Sequence, residues 1–501
     1  MQRAYSQIKV RDGRVPLSSK IFQGFGSIPD SHIQFAFNGL LLLYYNQVLG
    51  ISATSVAIAL AIAIIIDAIT DPLMGAFSDR LKSRLGRRHL LMYVGAVPLG
   101  VMMFLLFSPP AFLTDSQLVG WLFFSVIGLR LAFTVFHVPW GALAMEFSND
   151  YDERTEIVAW RLVSGWIGGV AFSFGMYTFV FAGSEAFPQG QLNPDSYPTF
   201  AIFTGLSITC WCLATAHLTR HQIPYLLQPV EPTNFSLLPM LKQVWSVILN
   251  PYYRRLVIAF LTFAAIAGFG GVFDAFMNTF FWGLTGEDLR WFGFAIFGAA
   301  IGIFLATKLQ KHFLKQHILL TAFLINMVLA ILKVSLRFLE WVPENGDPML
   351  VWVLVGQEVL QVISATVAMT VFPSMLADLG DHQEARTGER QEGVLASVLG
   401  FAAKSTSSVG LILGGLMLDH FVGMPAGSAN ETIDPDVLFR LAIADGIIAS
   451  LLMLIPISIL ATYRLTRTEI EDIQKQLQAN LASSPLEQPD IDAFIDGSGE
   501  G

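Results

Sequence analysis

One stretch decides the fold: VAIALAIAIIIDAITDPLMGAFSDRLKSRLGRR, Val56 to Arg88. From Val56 to Phe77 it is almost wholly apolar and as long as a helix must be to cross a bilayer, roughly 20 residues. Behind it stand Arg80, Lys82, Arg84, Arg87 and Arg88, and a loop so basic resists translocation. Inside the span lie Asp67 and Asp71. Four residues apart, they share one face of a helix; at roughly 5 Å and an effective dielectric near 20 their repulsion is about 3 kcal/mol. A monovalent cation or a proton between them removes it. The structural alternative is that Asp71, ahead of Pro72, satisfies backbone at a kink while Asp67 pairs with a fixed Arg or Lys.

Composition agrees with a membrane chain. Of 501 residues 53% are hydrophobic and 14% charged, with a mean hydropathy of +0.57, whereas soluble domains carry about a quarter charged residues. The net charge of −9 comes without any Lys/Arg-rich block, so a nucleic-acid partner has no electrostatic footprint. There is no His-Glu-x-x-His, Gly-x-Ser-x-Gly or Walker phosphate loop; no enzymatic role, catalytic residue or cofactor is expected, and energy has to come from an ion gradient or the substrate's own. Cys210 and Cys212, two apart in an apolar run, point away from each other on a helix, which disfavours a mutual disulfide. Met1 to Asp30 is polar and lacks the pattern of a signal peptide, so the first apolar helix is expected to remain.

Twelve windows satisfy the spanning criterion: Ile33–Leu49, Val56–Phe77, Leu90–Phe107, Val119–Met145, Val158–Ala182, Phe200–Leu218, Leu256–Phe281, Phe292–Thr307, Ile318–Leu339, Met349–Leu376, Val394–Leu418 and Val437–Tyr463. Basic residues crowd alternate loops: the second-to-third already quoted, the sixth-to-seventh (Arg220, Lys242, Arg254, Arg255) and the eighth-to-ninth (Lys308, Lys311, Lys315). Both termini are therefore expected in the cytoplasm. The chain divides into an N-terminal tail (1–30), six helices (31–218), a cytoplasmic linker (219–255), six more helices (256–463) and an acidic, partly disordered tail (464–501) opening with a short amphipathic helix, Thr468 to Leu481. A weak repeat supports the division. After the fourth helix the chain reads P-W-G-A-L-A-M-E-F-S-N-D-Y-D-E-R-T (Pro139 to Thr155), and after the tenth P-S-M-L-A-D-L-G-D-H-Q-E-A-R-T-G (Pro373 to Gly388). Two related six-helix halves with a substrate site between them at the midplane are a transporter plan.

Charged groups within spans are costly and need a partner or a purpose. Lys404 lies mid-way along the eleventh helix, Arg161 early in the fifth and Arg130 in the fourth, where Arg130, Thr134 and His137 share a face. Thr134 and His137 could complete a ligand set beside the acid pair, or His137 could titrate; a histidine bonded to a backbone carbonyl is the plain alternative. Asp274, Lys333, Glu358 and Asp445 are placed nearer the outer ends, where snorkelling or pairing is the default; Glu358, flanked by Gln357 and Gln361, is the one proposed to contact substrate. The run Gly75-Ala-Phe-Ser-Asp79-Arg80 with Arg84-Leu-Gly86-Arg87-Arg88 offers close packing at Gly75 and a breakable salt-bridge gate from Asp79, Arg80, Arg87 and Arg88.

That run resembles the loop signature of the major facilitator superfamily. With D-A-I-T-D-P-L-M-G from Asp67, H-V-P-W-G-A-L from His137, D-Y-D-E-R-T from Asp150 and R-T-G-E-R-Q-E-G from Arg386, with Lys404 downstream, the chain resembles the glycoside-pentoside-hexuronide:cation symporters, the melibiose-permease-like family. The resemblance implies an all-α major facilitator fold of twelve helices in two pseudo-symmetric halves with alternating access. It implies a cation site at Asp67 and Asp71 with Thr134, holding sodium if the chain is sodium-coupled, and charged positions near sugar and ion at Arg161 and Lys404. His137 stands where sodium-coupled galactoside transporters carry a third aspartate, which shifts the balance from sodium toward a proton. The first-helix acid that grips the sugar aligns with Ser31, Asp30 being one residue earlier, and the expected tryptophan is displaced to Trp140; Asp30, Trp140, Arg130, Arg161, Lys404 and Glu358 form the expected substrate set. The expected function is import of a sugar, glycoside or similar small polar solute with Na+ or H+ by a monomeric, multi-pass protein of the inner membrane. The alternative is a cation-dependent carrier of a lysophospholipid or other amphipathic solute, as in animal branches that share the paired acids and the His-Val-Pro step.

Overall fold

A computed structural model describes residues 5–6, 9, 11, 13–226, 228–229, 251–387, 392–429, 431–463 and 469. The middle of the expected linker, the second-half R-T-G-E-R-Q-E-G motif from residue 388 to 391 and nearly all of the acidic tail with its amphipathic helix lie outside the described residues. Apart from a two-residue pairing of Tyr5–Ser6 with Gln228–Pro229, the described elements are helical.

We number the helices α1 (Leu17–Gly24), α2 (Ser27–Gln34), α3 (Ala53–Arg80), α4 (His89–Phe107), α5 (Asp115–Glu146), α6 (Tyr151–Gly175), α7 (Ser196–Thr219), α8 (Pro251–Gly270), α9 (Ala295–His312), α10 (Lys315–Phe338), α11 (Pro348–Thr387), α12 (Glu392–Leu416), α13 (Pro435–Ala442) and α14 (Leu454–Ala461). Several continue in the wider π geometry: α2 through Phe35–Leu41 and Tyr44–Val48, α6 through Met176–Val180, α12 through Met417–Val422 and α13 through Ile443–Ala449; α8 is followed by another such turn at Met277–Phe281. Eleven helical runs are long and apolar enough to span a bilayer.

The first run differs from its expected position: helix begins at Leu17, well before Ile33. Its early turns are polar, which hid them from a hydropathy window. They face the protein, not lipid. Lys20 is 3% exposed, 3.3 Å from Glu153 and bonded to Glu156, while the hydroxyls of Ser27 and Ser31 donate to the carbonyls of Arg161 (2.6 Å) and Gly165 (2.8 Å) on α6. Elsewhere the helices run a few residues past the expected ends because caps and polar last turns extend them. Asp150 caps α6 by accepting from the Glu153 amide at 2.9 Å, and Asp79 and Arg80, expected in a loop, close the last turn of α3.

The N-terminal bundle (α1–α7) meets the C-terminal bundle (α8–α14) chiefly where α3 runs beside α12. Gly415 of α12 packs on Ala57 and Ala53 of α3 so tightly that a Cβ there would sit 2.6 Å from the Ala57 methyl; small residues let backbones approach where lipid supplies no hydrophobic drive. One buried apolar core runs through the N-terminal bundle into the C-terminal helices around Phe273, Leu350, Leu418 and Leu441, while Leu256, Leu319, Val371 and Leu460 belong to a second, separate core. Among the described residues the core shared by the two bundles thus lies toward one end. At that end the Asp419 carboxylate accepts from the amides of Ala53 (3.0 Å) and Thr54 (2.8 Å), Gln47 bonds Pro425 and Ser428, and Gln191 donates to Thr279 and the Leu284 carbonyl. Cys210 and Cys212 are free thiols.

Candidate functional site

On α3 the carboxylates of Asp67 and Asp71 stack as their spacing dictates, and Pro72 leaves the Ala68 carbonyl without its helical donor. Asp67 is 4% exposed and Asp71 is half-buried. From α5 the Thr134 hydroxyl reaches both acids, 3.2 Å from Asp67 Oδ1 and 3.1 Å from Asp71 Oδ1. One proton serves only one of these contacts at a time. Thr70, on the same turn as the acids, places its hydroxyl 3.4 Å from that of Thr134, an oxygen the sequence reading passed over although it lies inside the quoted motif.

The gap between the acids is bridged from the other bundle. Lys404 of α12 sets its Nζ 2.7 Å from Asp67 Oδ2 and 2.7 Å from Asp71 Oδ2, the geometry of charge-assisted bonds. Its side chain stays 39% exposed, so the bridge borders space open to solvent. One ammonium therefore offsets the repulsion that the spacing on α3 creates, and it comes from the bundle that faces α3.

The neighbouring residues form a second tier. Arg161 lies over the Trp140 ring at 3.8 Å, and the buried Trp140 indole donates to the Gln23 carbonyl at 2.8 Å. Arg130 lies over Phe37 at 4.6 Å with its Nε unpartnered. Asp30 is an electrostatic neighbour of Arg161, Arg130 and His137, and Arg130 also feels Asp67 and Asp71. His137 is not within hydrogen-bonding reach of either α3 acid: it stacks on Phe133 at 4.5 Å and leans on Trp140 at 5.2 Å, with its Nδ1 unpartnered. The helical face it shares with Thr134 holds, but aromatic packing turns the ring aside. Among the described residues no group of three His, Cys, Asp or Glu side chains could hold a metal ion.

Glu358 belongs elsewhere, with Lys333, Asp274 and Asp445 inside the C-terminal bundle. These four do not snorkel from outer ends, as expected of them; the turn after α8, α10, α11 and the π continuation of α13 bring them toward one another.

The gate residues divide. Arg88, 5% exposed, bonds Asp79 at 2.5 Å, Ser78 at 2.7 Å and Glu146 at 2.8 Å, and Arg87 bonds Glu146 at 2.7 Å. Glu146, at the end of α5, is the hub, and the sequence reading did not single it out although it stands in the repeat. Arg80 is exposed and outside this network. Gly75 does not mark close packing: a Cβ there would meet Val138 at an ordinary 3.8 Å. In the C-terminal bundle Lys315, at the start of α10, pairs with Asp378 of α11 at 2.7 Å, so the repeat carries a corresponding acid-base link.

With this geometry in hand, residues 22–467 match the model of the MFS/sugar transport protein family. The chain belongs to that family. The transporter is 23% identical over 471 residues to the uncharacterized symporter YnaJ of Bacillus subtilis (strain 168), covering 93% of this chain and 95% of that one. It is 24% identical over 483 residues to the putative glycoside/cation symporter YagG of Escherichia coli (strain K12), covering 95% and 98%. Its fold matches the crystal structure of the nucleoside transporter NupG with a TM-score of 0.58 at 14% identity, over 89% of this chain and 99% of that one. The chain is a multi-pass transport protein of the inner membrane, and the melibiose-permease-like resemblance read from its motifs stands.

Proposed function

We propose that this transporter imports a sugar, glycoside or similar small polar solute together with a monovalent cation or a proton, by alternating access. The α1–α2 run and its π continuation make a twelfth crossing beside the eleven apolar runs, giving two six-helix halves with both termini in the cytoplasm. The observation that carries the reading is the Lys404 bridge: a positive charge tethered to one half neutralises two acids on the other.

Asp67, Asp71 and Thr134 form the coupling site. A cation or proton arriving there competes with the Lys404 ammonium, because the acids no longer need both. Released, Lys404 turns with Arg161, Arg130, Asp30 and Trp140 toward the solute. With neither ion nor lysine in place the carboxylate pair is too costly to enclose between closing halves, and this penalty ties movement to occupancy. His137 lies beside the site and shapes it through Trp140. The bonds from Asp419, Gln47 and Gln191 seal the outer end, so the site opens toward the cytoplasm.

The test is uptake by right-side-out vesicles of labelled sugars, glycosides and lysolipids under imposed sodium and proton gradients. Gradient-driven accumulation of a sugar or glycoside, lost in Asp71→Asn while the protein still inserts, is expected. Undiminished accumulation by that variant, or accumulation of lysolipid alone, overturns the reading.

A further inference from the structure

Four charges outside the coupling site lie together in the C-terminal bundle: Asp274 just beyond α8, Lys333 on α10, Glu358 on α11 and Asp445 in the π continuation of α13. Lys333 is the cationic neighbour of all three acids, yet none of them forms a direct ion pair with it within 4 Å. With every group ionised the cluster carries an excess of two negative charges. Among the described residues no other charged side chain is an electrostatic neighbour of the three acids, and uncompensated charge is costly to bury even after relaxation.

The cluster is not dry. Asp274, Lys333 and Glu358 line a cavity of about 160 Å³ together with Asn278, Gln357 and Trp282. Asp274 is exposed, and part of the surface it shows is the wall of this cavity. Trp282 is 1% exposed, and its indole N–H has no acceptor; neither has the Gln357 amide. Buried donors without acceptors beside carboxylates without donors call for water between them. Asp445 stands on the wall of a second cavity, about 270 Å³, that also reaches Asn326 and Ser364. The acids do not converge on a point as metal ligands do. Compensating charge must therefore arrive at single carboxyl groups.

We propose that Asp274, Glu358 and Asp445, gathered around Lys333, form a proton-binding site of the C-terminal bundle, separate from the acid pair on α3. Each step moves one proton from cavity water to one carboxylate oxygen and forms an O–H bond. Two such steps cancel the excess, and as the groups interact, the protons belong to the cluster and not to one residue.

Infrared difference spectroscopy of the purified full-length protein in lipid, stepped through pH in sodium-free buffer without substrate, tests this. A C=O stretch from protonated carboxyl is expected, retained in Asp67→Asn/Asp71→Asn and weakened in each of Asp274→Asn, Glu358→Gln and Asp445→Asn. Lys333→Met is expected to strengthen it, since removing the ammonium leaves one more charge for a proton to cancel; a merely structural ion cluster would not gain intensity. That opposite sign keeps the test decisive should an acid variant fail to fold. A band that ignores the three acid substitutions, or disappears in the α3 double variant, overturns the proposal. So does a band bleached by sodium or lithium at constant pH in that double variant, which would make the ligand a metal cation. Neither gradient nor solute enters the measurement, so its failure leaves the coupling reading untouched.

Discussion

Thr134 and Gly26 show how single residues set the site. The Thr134 hydroxyl is the one oxygen near both α3 acids that comes from α5. Thr134→Val keeps its shape and removes the oxygen; a hydrogen bond to a charged group is worth about 1.5–3 kcal/mol, so the apparent affinity for the coupling ion is expected to fall at least about tenfold in ion-dependent uptake, with Thr134→Ser largely restoring it. Gly26 is needed for a different reason. A Cβ there would lie 2.1 Å from the Trp140 Nε1, and the indole cannot move away without breaking its bond to the Gln23 carbonyl and its contact with Arg161. Gly26→Ala should cost about 1–3 kcal/mol from overpacking, read as a lowered melting temperature, and loosen Arg161. Thr134 was singled out by the sequence and Gly26 was not; only the contact of the turn between α1 and α2 with α5 shows why glycine is required there.

At the scale of elements, the helices carry their own interruptions. Pro72 in α3, Pro139 in α5 and Pro373 in α11 each remove a helical hydrogen bond, and the first two flank the coupling site in sequence. The π stretches fall in Phe35–Val48, Met176–Val180, Met277–Phe281, Met417–Val422 and Ile443–Ala449, in segments that feed the shared apolar core or adjoin it. Looser winding thus clusters where the two bundles share their core. The clasp there is the carboxylate of Asp419, which caps α3 from the other bundle by taking the amides of Ala53 and Thr54. Losing an N-cap costs about 0.5–2 kcal/mol, and in the proposed cycle that loss falls on the closed outer end. Asp419→Ala is therefore expected to shift the population toward an open outer face, raising the labelling rate of a cysteine placed at Gln47 by about 2- to 30-fold. An unchanged rate would show that the cap is not a gate.

Across the whole molecule, each bundle ties the start of one helix to the end of the next: Arg87 and Arg88 of the α4 start to Glu146 of α5, and Lys315 of α10 to Asp378 of α11. Each of these links lies within one bundle and does not join the two. Glu146 is 7% exposed, and removing one partner of a buried pair costs about 3–5 kcal/mol. Glu146→Gln and Asp378→Asn should each lower the melting temperature of the detergent-solubilised protein, and their losses should add in the double variant, since separate sites without shared partners behave independently. Strong non-additivity would mean that the two links are energetically coupled.

The spanning helices, the acid pair and the basic loops were legible in the sequence because lipid imposes a length, a hydropathy and a charge bias that each segment meets by itself. The polar first turns of α1 and α2 were not, since Lys20, Ser27 and Ser31 read as a solvated tail until α6 lies against them. Equally, four residues of spacing placed Asp67 and Asp71 on one face, but only tertiary structure brings Lys404 across to bridge them, aims His137 at aromatic rings and gathers Asp274, Lys333, Glu358 and Asp445 from four helices. Local geometry is set by covalent spacing along one helix. Compensation of charge is set by which helices pack together, and that is settled only when the whole chain has folded.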